Sequence, residues 1–135
     1  MKVLIDTNVI LDVLCARKDF LKESSKVWKY CEINKLDGYI SAISVPNIVY
    51  ILRKELTPEK TQQIIEQLFL IFGVVDLKAD DLKKAAAMKM FDYEDALQVA
   101  SAARIKADFI ITRNIKDFVN SKITAIKPSE LLDRI

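Results

Sequence analysis

Histidine is missing altogether from the 135 residues, which removes the usual general base, the Ser-His and Cys-His nucleophile systems, and every histidine-bearing zinc or iron site. Only two glycines occur, Gly38 and Gly73, so there is no glycine-rich loop of the P-loop or dinucleotide-binding kind. The two cysteines, Cys15 and Cys31, form no CxxC pair and lie in stretches with helical patterning; reduced, partly buried thiols are expected. A formal net charge of +2 is too small to point to a polyanionic partner. No apolar run approaches the roughly 20 residues of a membrane span, and the opening MKVLIDTN runs into an acid without a small-residue cleavage site. A cytoplasmic protein without membrane association is expected. Whatever chemistry occurs must come from Asp, Glu, Asn, Ser, Thr, Lys, Arg or Tyr.

What is present suits one globular domain spanning residues 1–135: hydrophobic residues make up 51%, enough for a core without disulfide staples. Lys2 to Ile5 (KVLI) reads as a strand ending at Asp6, and Asn8 to Leu14 as a helix. From Asp19 to about Leu36 apolar residues recur with helical spacing until Asp37-Gly38 breaks the pattern, and Tyr39 to Ile43 reads as a second strand. Ser44 is a candidate cap for a helix reaching about Glu55, and Thr57-Pro58 opens another that runs towards Gly73. Val74 to Leu77 is a third strand candidate, Ala79-Asp80 starts a helix ending near Met90, and Asp92 precedes an alanine-rich helix. Asp108 to Thr112 is a fourth strand, Thr124 to Ile126 a fifth, and Pro128-Ser129-Glu130 starts a short last helix. Strands alternating with helices imply an α/β fold with a mostly parallel sheet of four to five strands, covered on both faces.

In such a sheet, ligands bind outside the carboxyl ends of the strands, where the strand order reverses. Asp6 directly follows the first strand, Asn47 lies a few residues beyond the second, and Asn114 and Asp117 follow the fourth. Asp92, Glu94 and Asp95 stand where the alanine-rich helix begins, with Asp92 and Asp95 three apart on one face. Each has a plainer reading. Asp92 is a natural N-cap with Glu94 and Asp95 in the first turn, Asp6 a turn residue, Asn114 and Asp117 loop residues, and Arg113 and Lys116 solvated charges. Asp95 resists that reading, since it shares a face with Val99 and Ala102 and should point inward. If these acids converge, crowding favours a bound cation. Without nitrogen or thiolate donors, that cation is Mg²⁺ or Mn²⁺, which suits phosphodiester hydrolysis.

Four segments resemble the PIN (PilT N-terminus) domain: Asp6-Thr7-Asn8 after the leading strand, Ser41-Ala42-Ile43-Ser44 running into Asn47 and on to Lys54, Asp92-Tyr93-Glu94-Asp95-Ala96-Leu97, and Ile111-Thr112-Arg113-Asn114 with Asp117-Phe118. Each is weak alone; their order and spacing span nearly the whole chain. The likeness is to the toxin-like branch of VapC-type ribonucleases. It implies a three-layer PIN-like fold, an Mg²⁺ or Mn²⁺ site, an RNA substrate, a small antitoxin partner and a homodimer. Carried over residue by residue, Asp6 and Asp95 match the family acids, and Asp117 stands in for the acid after the fourth strand. Asn8, Asn47, Asp92, Glu94, Thr112 and Asn114 are expected to support the site. Asn47 stands where many members have glutamate, and Asn114 where many have aspartate. Arg53, Lys54, Arg113 and Lys116, near the motif ends, are expected to hold RNA. The haloacid-dehalogenase phosphatases also start with a strand and an aspartate, but their second aspartate is missing from Asp6-Thr7-Asn8. A receiver-like reading rests on Asp76 alone. A catalytically weak module of the PIN fold, binding RNA or protein, is the other reading, and Asn47 and Asn114 favour it.

Overall fold

The computed structural model describes residues 1–135. Five strands form a wholly parallel sheet in the order β3-β2-β1-β4-β5: β1 Lys2–Ile5, β2 Asp37–Ser41, β3 Gly73–Val75, β4 Phe109–Ile111 and β5 Ala125–Ile126. The helices are α1 Thr7–Leu14, α2 Leu21–Glu32, α3 Ser44–Leu52, α4 Pro58–Ile71, α5 Ala79–Ala87, α6 Tyr93–Arg104 and α7 Pro128–Leu132, with a 3-10 turn at Ile115–Phe118. None is long and apolar enough to cross a membrane.

The alternation of β1 explains the layering. Val3 and Ile5 face one way, into a core shared with Val9 and Ile10 of α1, Val27 of α2, Ile48 of α3, Leu68 of α4 and Leu131 of α7. Leu4 faces the other way with Ile110 of β4, against Val99 and Ala102 of α6. Leu97 of α6 packs with Ala85 of α5 on that same side. Because β1 is apolar on both faces, it needs cover above and below, and a central place in a parallel sheet supplies it.

Several boundaries differ from the sequence expectation. The second strand starts two residues early, at Asp37, because Gly38 can lie against α2: a Cβ there would come within 2.6 Å of Cys31 Sγ. Cys31 is buried as expected, whereas Cys15 is exposed at the end of α1. Thr57 caps α4 through its hydroxyl, which accepts from Lys60 N at 3.2 Å. Ser44 does not cap α3; it is the first helical residue, is fully buried, and its Oγ accepts from Thr7 Oγ1 at 2.6 Å. α5 stops at Ala87, short of Met90.

Strand order reverses between β1 and its two neighbours, β2 and β4. The crevice at the carboxyl ends of β1 and β4 is the topological switch point of the sheet.

Candidate active site

A cleft of about 290 Å³ opens at that crevice. The β1–α1 junction brings Asp6 and Asn8 to it, α3 brings Asn47, and the start of α6 brings Asp92, Glu94 and Asp95. The segment after β4 contributes Asn114 and Asp117. Four chain segments, remote in sequence, thus deliver to one cleft eight of the residues singled out from the sequence.

Asp6 is the most constrained of them. It is only 5% exposed, and its backbone N–H donates to Ile111 O at 2.9 Å, continuing the β1–β4 ladder past the end of the strand. Both carboxylate oxygens are engaged: Gln98 Nε2 donates to Oδ1 at 2.8 Å, and Thr112 Oγ1 donates to Oδ2 at 3.0 Å. Burial pushes its pKa above the ordinary aspartate range, against the opposing pull of the Gln98, Thr112 and Thr7 hydrogen bonds and the Arg113 charge.

Asp95 stands across the cleft on the first turn of α6, and its pKa is pushed up to about 7, first by burial and then by the charges of Asp92, Asp6, Asp117 and Glu94. Asp92 does cap α6, accepting from Asp95 N at 3.0 Å, so the plain reading and the place in the cleft both hold for it. Asn47 Nδ2 donates to Glu94 Oε2 at 3.3 Å.

Two residues that the sequence reading passed over shape this site. Gln98 lies one turn beyond Asp95, and the spacing that marked Val99 and Ala102 as inward would have included it; its Oε1 is buried without a partner. Asp12, an acid inside the apolar stretch VILDVL, is completely buried. Its carboxylate is paired with Arg113 Nε at 3.1 Å and Arg17 Nη1 at 3.4 Å. Arg17 also donates to Asn8 Oδ1 at 3.3 Å.

Arg113 is therefore not a solvated charge: it is tied to Asp12 and lies over the Phe20 ring at 4.1 Å. Thr112 lies beneath the cleft, where its Oγ1 also accepts from Asn114 N at 3.1 Å. Lys116 is exposed on the 3-10 turn. Arg53 and Lys54 are exposed just past α3, outside the cleft lining, and Lys54 Nζ lies 4.9 Å from the Tyr50 ring centre.

The donors are all oxygens and amides, a set suited to a hard divalent cation. An ion would offset the burial and the repulsion that together hold a proton on Asp95, and it would lie near the partnerless Gln98 Oε1. No three carboxylates are grouped closely enough to enclose an ion by themselves. That suits Mg²⁺, which is commonly held by one or two carboxylates and keeps its waters.

Comparison with known proteins bears on the fold and the family. Ribonuclease VapC1 of Aquifex aeolicus is 27% identical to the chain over 138 residues, covering 98% of this chain and 94% of that protein. Among solved structures, DNA-bound VapBC from Salmonella typhimurium has a chain that superposes with a TM-score of 0.73 at 16% identity, covering 95% of this chain and 98% of that one. A chain of FitAcB from Neisseria gonorrhoeae superposes with a TM-score of 0.70 at 20% identity, covering 94% and 98%. At those identities the likeness is one of fold. The PIN domain family model matches residues 2–116, a stretch that holds every residue named above in the acidic cleft except Asp117, and the chain belongs to the PIN domain family.

Proposed function

We propose that this chain is an Mg²⁺- or Mn²⁺-dependent endoribonuclease, and that it acts as the toxin of a toxin–antitoxin pair. The observation that carries the chemistry is the meeting of Asp6 and Asp95 at the switch point of the sheet, where burial and then the neighbouring acids raise Asp95 to about 7. Asp6 and Asp95 would hold the cation directly, with Asp117 reaching it through one of the waters that the ion keeps, and Asn47 and Asn114 as neutral oxygen donors. A bound divalent ion supplies activation of water and neutralisation of charge on the scissile phosphate. Gln98 and Thr112 fix Asp6 so that it cannot turn away. The Asp95 carboxyl exchanges its proton near neutral pH. The toxin role is supported by relatives named as a ribonuclease and as toxin–antitoxin complexes, among them a toxin–antitoxin complex from Klebsiella pneumoniae that superposes with a TM-score of 0.70. A small antitoxin and a second copy of this chain are the partners that reading entails.

The test is cleavage of single-stranded RNA with Mg²⁺, with Mn²⁺, and with EDTA. Asp6→Asn and Asp95→Asn should each lower metal-dependent cleavage by at least about a hundredfold, on the order of 2.7 kcal/mol of transition-state stabilisation, while remaining folded. Wild-type cleavage in EDTA, or a mutant cutting at the wild-type rate, would sink the assignment. The weak-module reading is favoured by one contact, the amide of Asn47 turned towards Glu94. It predicts RNA binding without turnover.

A further inference from the structure

A second concavity, of about 740 Å³, lies between α5, α6 and the segment that follows the 3-10 turn. Four cations line it, Lys84, Lys89, Arg104 and Lys122, and no acid does. Lys84 is paired with Asp80, and Arg104 with Asp76 and Asp81. Lys89 and Lys122 are exposed and take part in no ion pair, so their charge faces solvent at the rim. The floor is apolar, with Met88, Val99 and Ala103 among its residues. Cations around an apolar floor match a ligand that carries negative charge on a spine and flat apolar faces beside it, as a nucleic-acid strand does. A methionine thioether is also a favourable neighbour for an aromatic ring.

Position selects RNA over an acidic protein segment. This concavity and the acidic cleft share two walls. α6 presents Asp95 and Gln98 to the cleft, and Val99 and Ala103 to the concavity. The segment after β4 presents Asn114 and Asp117 to the first, and Asn120 and Lys122 to the second. The five steps from Asp95 to Ala100 advance along α6 by only about 7.5 Å. Lys116, exposed on the 3-10 turn, lies between Asn114 and Asp117 on the part of that second wall that faces the cleft. Of the cations expected from the sequence to hold RNA, Arg113 is already tied to Asp12.

We propose that the α5–α6 concavity is an RNA subsite, which takes the strand flanking the scissile phosphate. Its bases would lie against the Met88 floor and its phosphates against Lys89 and Lys122. This rests on the ribonuclease reading above and adds the path of the substrate to it.

The experiment compares wild type with Lys89→Glu/Lys122→Glu, measuring binding of a single-stranded RNA of about 12 nucleotides, within the site sizes such proteins cover, in EDTA and at several salt concentrations. Both lysines are exposed, so thermal unfolding should not move and a folding defect is separable. The double variant should bind at least tenfold more weakly. Loss of two phosphate contacts should also shallow the log–log salt slope by about 1.4. In the presence of metal, cleavage of the long RNA should fall more than cleavage of a trinucleotide, which is too short to fill both sites. Unchanged affinity and slope in a protein whose wild type binds RNA would overturn the subsite and leave the acidic cleft standing. Failure of wild type to bind or cut any RNA would overturn both readings. RNA binding at wild-type strength, combined with loss of binding to an acidic amphipathic peptide, would reassign the concavity to a protein segment and overturn the proposal.

Discussion

With no cation bound, Asp95 holds its proton up to about pH 7, and Asp6 is raised in the same direction by burial. In the unfolded chain both ionise near the ordinary aspartate value of about 3.9. Between those limits the folded protein carries more protons than the unfolded one, so its stability falls as pH rises. The favourable contribution of Asp95 is complete below about pH 4 and lost as pH climbs through 7. Asp95→Asn removes that titration without changing shape. The difference in urea-unfolding midpoint between wild type and Asp95→Asn, measured in EDTA, should therefore be small near pH 4 and grow in favour of the variant by pH 8. A constant difference across that range would mean that Asp95 does not titrate against the cleft. The Asp12–Arg113 pair obeys another logic. Asp12 is completely buried, and removing Arg113 would leave it with Arg17 alone. A binding defect in an Arg113 variant must therefore be separated from loss of fold before it is assigned to RNA.

At the scale of elements, the close approach of β2 to α2 leaves no room for one added methyl group. A Cβ on Gly38 would meet Cys31 Sγ at 2.6 Å and the Phe72 ring at 3.1 Å, and both of those residues are buried. Gly38→Ala should cost about 1–3 kcal/mol by overpacking, read as a lower urea midpoint with an unchanged slope. Gain of stability would mean that α2 and β2 can slide apart freely. The same place shows where sequence legibility ended. Apolar runs such as KVLI and FII announced β1 and β4, because burial on both faces leaves no alternation to misread. The Asp37-Gly38 pair looked like a turn, since glycine's freedom resembles its other use, permitting close packing. The acids of the cleft were legible because Asp6 and Asp117 follow strands and Asp92, Glu94 and Asp95 mark the start of α6. Gln98 and Asp12 were not, because their roles depend on what lies opposite them in space: a carboxylate 92 residues away for Gln98, and a guanidinium 101 residues away for Asp12.

For the molecule as a whole, metal and folding are linked through the cleft. A ligand bound only by the folded state stabilises it by RT ln(1 + [L]/Kd), about 2.7 kcal/mol at a hundredfold excess over Kd. Mn²⁺ should therefore raise the unfolding temperature of the wild type, and in Asn47→Glu the rise should begin at lower Mn²⁺. That variant should also be less stable than wild type in EDTA, because a carboxylate would replace the amide that now donates to Glu94. Parallel titration curves for the two proteins would place residue 47 outside the metal's reach. The sheet order carries a further consequence, for the moment at which a nuclease is made. β1 is the first strand synthesised, yet one of its two neighbours is β4, and the partners that hold the Asp6 carboxylate are Gln98 and Thr112. A ribosome that has translated as far as α5 has made Asp6, the first of the acids proposed to act, but neither of the groups that hold its carboxylate, nor Asp95 and Asp117. On the proposed function, the emerging chain would be unable to cut the transcript it is read from until its last quarter has joined the first strand.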